Sequence, residues 1–268
     1  QEIYIMTMDG SGQANITNNP AYDDLSAWSP DGLHITFVSE RSGELDIYVM
    51  NADGSELKDL SNNPAIDTSP VWSPDGRQIA FISDRDGHEE VYLMNADGSQ
   101  QTRLTNDPNT KGEPSWSPDG RYIAFTYNNF DNYNWDVYSV KVKTHQMARL
   151  TDDQEADTTP SWSPDSAFIY FMSERDRGRS LYRMKLDGTQ ETRVIWPWIE
   201  SMAAITWSPD KLHFAQAWSP NDKRQSIYIF NSDGTQYSEI TDGTYLDEDS
   251  SPNWSTDGQF IAFSSNVD

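Results

Sequence analysis

The chain has 268 residues, with 43 acidic against 19 basic side chains and a formal net charge of -24. A nucleic-acid binder needs a basic stripe and no Lys/Arg cluster is present, so nucleic acid and anionic membranes are excluded as partners. There is no cysteine, hence no disulfide or thiolate chemistry, and no apolar run approaches the roughly 18 residues a membrane span requires.

The chain opens on a strand-like run, Ile3-Tyr4-Ile5-Met6, with a turn at Asp9-Gly10 and the end of another strand at Asn15-Ile16-Thr17. Trp28 then begins the first of six near-copies of one phrase. They are WSPDG at Trp28, Trp72 and Trp116, WSPDS at Trp162, WSPDK at Trp207 and WSTDG at Trp254. Successive tryptophans are 44, 44, 46, 45 and 47 residues apart. A period of that length marks a propeller or solenoid, whose units cannot bury a core alone. Sixfold recurrence assigns these tryptophans to packing.

The second copy reads as four strands. Asp67 to Ser73 is the first, and Ser73-Pro74-Asp75-Gly76 is a tight turn in which Pro fixes φ and Gly accepts a positive φ. Ile79 to Ser83 is the second, Asp84 to His88 a loop, Glu90 to Met94 the third, Asn95 to Ser99 a turn, and Thr102 to Thr105 the fourth. Trp254 to Ser265 supplies only a first and second strand, and the N-terminal residues supply the missing third and fourth. The expected fold is all-β: one domain, 1–268, a six-bladed β-propeller of four-stranded blades, its last blade closed by strands from both termini. The blades are expected at about 23–61, 67–105, 112–151, 157–195, 202–241, and 249–268 plus 1–17.

The period, WSPDG, the Ser-acid-Arg ending of strand two, Ile47-Tyr48-Val49-Met50 and Asn95-Ala96-Asp97-Gly98-Ser99 together resemble the TolB-like propeller repeats. The resemblance covers essentially the whole chain. It implies a binding module of the periplasm with a protein partner, although the family also includes propellers attached to prolyl-oligopeptidase-type hydrolases and oligogalacturonate-lyase relatives. The N-terminal α/β domain of TolB and the catalytic domain of the hydrolases have no counterpart in these residues. Gln1 lies two residues before a strand, so an export signal is expected to have been removed, which fits a periplasmic or extracellular setting.

Strand direction alternates, so the WSPDG and NADGS turns share one face. The loop after strand two and the inter-blade loop share the other. The first face repeats and reads as scaffold; the second diverges. Three blades keep Ser-acid-Arg at Ser39-Glu40-Arg41, Ser83-Asp84-Arg85 and Ser173-Glu174-Arg175, and the same three keep Asp23, Asp67 and Asp157 five residues before the Trp. This co-occurrence predicts Asp–Arg pairing at the channel mouth, with Asp249 as a fourth carboxylate. Carboxylates around a narrow opening repel by up to ~4 kcal/mol per close pair, so something must offset them. Arg41, Arg85 and Arg175 are one answer. A hard cation such as Ca2+ in the channel, on Asp67, Asp157 and Asp249, is the other; no cofactor is required.

Blades three and five break both rules, with Lys111 and Tyr127-Asn128-Asn129 in one, Met202 and Trp218-Ser219-Pro220 in the other. Asn129, Phe130, Tyr133 and Trp135 of blade three and Trp196, Trp198, Glu200 and Trp218 of blade five are expected on the divergent face, flanking blade four. Aromatic rings beside amides and carboxylates suit a protein or peptide partner, or a glycan. Filling a gap between blades is the competing role for Trp196 and Trp198.

No catalytic motif appears. The four histidines lack metal-ligand spacing, and neither GxSxG nor GxxxxGK[ST] occurs. The expected function is therefore non-enzymatic binding by a monomeric TolB-like scaffold with an aromatic, acidic face. A carbohydrate-binding or metal-assisted carbohydrate- or peptide-processing enzyme, with its site at the channel mouth, is the alternative.

Overall fold

The computed structural model describes residues 1–130, 134–175, 178–194, 205–219, 225–232, 237–241 and 249–265. It contains six antiparallel four-stranded sheets. From the inside outward, blade one is Asp23–Trp28, His34–Ser39, Asp46–Asn51 and Lys58–Asp59. Blade two is Asp67–Trp72, Gln78–Ser83, Glu90–Asn95 and Thr102–Arg103. Blade three is Thr110–Trp116, Tyr122–Asn129, Asn134–Lys141 and Gln146–Arg149. Blade four is Asp157–Trp162, Ile169–Ser173, Ser180–Met184 and Thr192–Arg193. Blade five is Thr206–Trp207, His213–Trp218, Ser226–Asn231 and Tyr237–Glu239. Blade six joins Ser250–Trp254 and Phe260–Ser265 to Glu2–Thr7 and Ala14–Asn15.

Ring closure follows from pairing between the chain's two ends: Glu2 lies opposite Ser265, Tyr4 opposite Phe263 and Thr7 opposite Phe260. The core explains why the repeat is obligatory. Each of the six apolar clusters draws on two adjacent blades. Ile47 and Leu60 of blade one, for example, pack with Ile79, Phe81, Tyr92 and Met94 of blade two. A single blade would leave one apolar face in water. Three of the six repeat tryptophans also sew these seams by hydrogen bonds: Trp72 Nε1 donates to Thr36 Oγ1 (3.0 Å), Trp162 Nε1 to Ser115 O (3.1 Å) and Trp254 Nε1 to Thr206 O (3.2 Å).

The turn face is built by one rule applied six times. In each WSPD phrase the Ser hydroxyl donates to the Asp two residues on, at 2.5–2.7 Å. Gly32, Gly76, Gly120 and Gly258 close the turn at φ near +70°. Ser166 (φ 59°) and Lys211 (φ 64°) replace that glycine and are held in the same left-handed region, so the turn, not the residue, sets the conformation. The second turn is equally fixed: a Cβ on Gly98 would lie 2.7 Å from Leu60 O of the preceding blade.

The innermost strand departs from the plain strand that its sequence suggests. In five blades its register slips by an extra residue, between Asp24 and Ala27 in blade one and at the corresponding positions in blades two, three, four and six. The residue at each bulge is left-handed: Leu25, Ser69, Glu113, Thr159 and Ser251, all with φ of 50–54°. Bulges of this kind bend a strand and re-aim its side chains, and this one sits where six strands crowd around the axis.

Candidate functional site

Two regions of the non-repeating face are candidates: the channel it opens onto and the rim around it. The channel encloses about 980 Å3. Its wall is the first strand of every blade, from Asp24, Glu113 and Thr159 at the bulges to the repeat tryptophans of blades one to five and the turn prolines Pro30, Pro74 and Pro118, with Arg179 and Gln225. Glu113 belongs to the buried part of this wall, where it accepts hydrogen bonds from the Thr126 hydroxyl and from Thr159 N (3.1 Å). Burial pushes its carboxyl above the ordinary glutamate value, against those two hydrogen bonds. The hydroxyls of Ser26 and Thr159 are buried with no hydrogen-bond partner among the described residues.

Asp23, Asp67 and Asp157 lie wholly buried rather than open at that mouth. Arg41 Nη2 reaches both oxygens of Asp23 at 2.9 and 3.0 Å, Arg85 Nη2 those of Asp67 at 2.9 and 3.1 Å, and Arg175 Nη2 those of Asp157 at 3.0 and 2.9 Å. Each arginine also donates Nε–H to the serine of its own motif, Ser39, Ser83 or Ser173. Each guanidinium lies 4.7–5.0 Å from a tyrosine ring, Tyr48, Tyr92 or Tyr182. Asp249 is also buried, and its N–H donates to Gln225 O. Among the described residues no group of three His, Cys, Asp or Glu side chains could hold a metal. Of the carboxylates named for Ca2+, Asp67 and Asp157 are each held by a guanidinium.

Blade three fills the same slot with the charge reversed. Lys111 stands in place of the aspartate and is fully buried. It donates to Asp107 O (2.7 Å), Asp107 Oδ1 (2.9 Å) and Asn109 O (2.6 Å), and pairs with Glu90 of the preceding blade at 3.1 Å. Burial alone would raise the Asp107 carboxyl; the hydrogen bonds and charge of Lys111 and the Asn109 N–H overcome this and hold it below the ordinary value. Tyr127 replaces the serine and stacks on Tyr138 with ring centres 4.2 Å apart. Its hydroxyl, buried and beside Asp107, is pushed up to about 12. In blade five Trp218 takes the serine position and meets Tyr228 and Tyr237 edge-on, both at 4.9 Å. An aromatic ring thus lies against the tyrosine that carries guanidinium in blades one, two and four.

The longer sequence of blade three extends its central hairpin, so that Asn129 pairs with Asn134 and Trp135 with Asn128. Phe130 follows at 46% exposure, its N–H bound to Asn109 Oδ1 (3.0 Å), while Trp135 is half-buried. Tyr133, Trp196, Trp198 and Glu200 lie outside the described residues. Sequence reading missed two exposed members of the same face, Tyr22 (39%) and Ile66 (44%). Each immediately precedes a buried aspartate, and the signal was available: alternation along a strand places the neighbour of a buried residue on the opposite side.

A family model described as TolB beta propeller domain matches residues 3–133 and 105–201. The chain belongs to the TolB beta propeller domain family. Within solved structures, this TolB-type propeller is similar to a protein from Agrobacterium tumefaciens assigned as TolB. That pair is 22% identical over 100% of this chain and 98% of the other, with TM-score 0.80. It is also similar to TolB from Acinetobacter baumannii, with 18% identity, coverage of 95% of this chain and 66% of that one, and TM-score 0.81. A more remote likeness is to oligogalacturonate lyase from Vibrio parahaemolyticus, at 11% identity, 98% and 97% coverage and TM-score 0.64. At these identities the structural likenesses describe the fold. No curated protein matches the chain in sequence. The histidines of this TolB-type propeller do not converge: His34 and His213 sit in separate blades, each beside its own turn aspartate, Asp31 (3.8 Å) or Asp210 (3.6 Å). Among the described residues no helix is long and apolar enough to cross a membrane.

Proposed function

We propose that the chain is a non-enzymatic binding scaffold of the cell envelope that takes a protein or peptide partner on its non-repeating face. The observation that carries the proposal is the contrast between faces. The turn face applies one hydrogen-bond rule six times, whereas Tyr22, Ile66 and Phe130 stand exposed on the face where the copies diverge. Exposed aromatics on a rigid frame lose little conformational entropy on binding and dominate interfaces. Membership of the TolB beta propeller family supports a protein partner and a periplasmic or extracellular setting. Trp196, Trp198 and Tyr133 extend this surface in the proposal, and neither Ca2+ nor another cofactor is needed for it.

The test is affinity capture from envelope extracts of the source organism with three baits of equal melting temperature. One is unmodified, one carries Tyr22→Ala with Phe130→Ala, and one carries Leu33→Asp with Leu212→Asp on the turn face. A protein retained by the first and third and lost from the second is the expected result. Retention by the first two and loss from the third would place the interface on the wrong face.

A further inference from the structure

The repeat supplies an internal comparison at its three arginines. Arg41, Arg85 and Arg175 share their serine, their aspartate and their tyrosine. Their side-chain hydrogen bonds differ at one atom, Nη1. In blade two Nη1 donates to Gln101 Oε1, and in blade four to Glu191 Oε1. Both acceptors stand three residues after the turn glycine, at Gly98 and Gly188, immediately before the outermost strand. The same position after Gly54 is Leu57, which has no acceptor atom and is 45% exposed. Among the described residues, Arg41 hydrogen-bonds only to Ser39 and Asp23, through its backbone N, Nε and Nη2.

A guanidinium has five N–H donors. In Arg41 the Nε and Nη2 groups are engaged, and the two on Nη1 are not. The group cannot swing away, because Asp23 clamps it and the rings of Phe37 and Tyr48 hold it from the side at 5.1 and 5.0 Å. The side chain is 13% exposed, so a hydrogen bond formed there is partly shielded from water. Arg175 shows what such an edge accepts. It carries the Glu191 carboxylate on Nη1 while Asp157 remains on Nη2, with Asp153 3.7 Å from Nε. One guanidinium in this frame therefore tolerates a second carboxylate close by.

We propose that Arg41 is a carboxylate-binding site, which receives on Nη1 an acidic group from outside the chain in the position that Glu191 holds on Arg175. The ligand class is a planar carboxylate, an acidic side chain or C-terminus of a peptide. Both internal occupants, a carboxamide and a carboxylate, present an sp2 oxygen in that place. Charge-assisted bonds of this kind are short and strong for their size. The site gives a strongly acidic protein one fixed point at which it can accept, rather than repel, an anionic partner. It stands on the internal comparison alone, independent of the partner surface proposed above.

The experiment follows the arginine Nε–Hε resonances by NMR while N-acetylglutamate methylamide is added, with the matching glutamine compound and inorganic phosphate as further probes. Arg41→Lys, Arg85→Lys and Arg175→Lys assign the three signals. The expected result is a saturable shift of the Arg41 signal with the glutamate probe, with Arg85 and Arg175 unmoved and the neutral glutamine probe binding at least about tenfold more weakly. A phosphate response equal to that of the glutamate probe would overturn carboxylate selectivity. Leu57→Glu supplies the missing internal acceptor at an exposed position and should weaken glutamate binding by about tenfold or more, whereas Leu57→Ala should leave it as in the parent. A silent Arg41, equal shifts at all three arginines, or undiminished binding in Leu57→Glu would overturn the proposal.

Discussion

Blades one, two and four differ from blades three and five in how they fill a single slot. In the first group a buried aspartate, a serine and a tyrosine hold an arginine. In blade three a buried lysine and a tyrosine pair do the same work, and in blade five Trp218 sits among Tyr228, Phe230 and Tyr237. The two central strands pair antiparallel in every one of these blades, although in blade three they are longer. A propeller blade thus requires that the slot be filled and its charges matched, and leaves the chemistry open. That freedom lies on the face where the copies diverge, and it is what a binding scaffold can exploit.

The comparison is broken most severely by removing one charge of a matched set. Arg85→Ala strands Asp67 without a counter-ion in a site closed to water and should cost about 3–5 kcal/mol in denaturant unfolding. Replacing both partners together, Asp67→Leu with Arg85→Met, should recover most of that loss. If the double variant is no more stable than Arg85→Ala, the slot demands this ion pair and the equivalence of the blades fails. Trp218→Ala should cost about 2–4 kcal/mol by leaving a gap against Tyr228 and Tyr237. That cost sets Trp218 apart from Phe130, whose removal should change stability by less than about 0.5 kcal/mol.

Acid titration sharpens the contrast between the faces. Serine hydroxyls hold the turn aspartates Asp31, Asp75, Asp165, Asp210 and Asp257 below the ordinary value of 3.8. A depressed carboxyl contributes stability above its unfolded pKa and loses it as the pH falls through its folded pKa. Burial raises Glu113, so that carboxyl acts with the opposite sign, costing stability once it ionises. Stability should therefore rise slightly on mild acidification, helped by relief of the -24 charge, and fall steeply below the ordinary aspartate range. Glu113→Gln should add up to about 1 kcal/mol at neutral pH and flatten the mild-acid rise. The smallest expected effect is that of a calcium chelator, which should leave the melting temperature unchanged. A fall in that temperature on chelation would return Ca2+ to the account.

Much of the frame was legible because it is local chemistry repeated: the Ser-Pro-Asp turn, the alternating strands, and the Ile3–Met6 strand that completes the last blade. The pairing of aspartate with arginine could be inferred because blades one to five keep or lose the two together, blade six alone keeping Asp249 without an arginine. The bulge was not legible. Leu25 and Thr159 are among the residues that turn chemistry would least place at positive φ, and crowding around the axis decides their conformation rather than propensity. Without the bulge, Asp23, Asp67 and Asp157 read as a ring around the opening, when each is sealed beneath its arginine. The role of Gln101 and Glu191 was equally hidden. Each lies 16 residues from the arginine it meets, at a position whose occupant varies among the blades.

The central claim is that the divergent face, not the repeating one, meets a partner. Its most direct test is site-specific photo-crosslinking in the source organism, with the reactive group placed singly at Tyr22, Phe130, Leu33 and Leu212. The account predicts a covalent adduct of the same protein from positions 22 and 130 and none from positions 33 and 212. Adducts from 33 or 212 alone, or from no position at all, would contradict it.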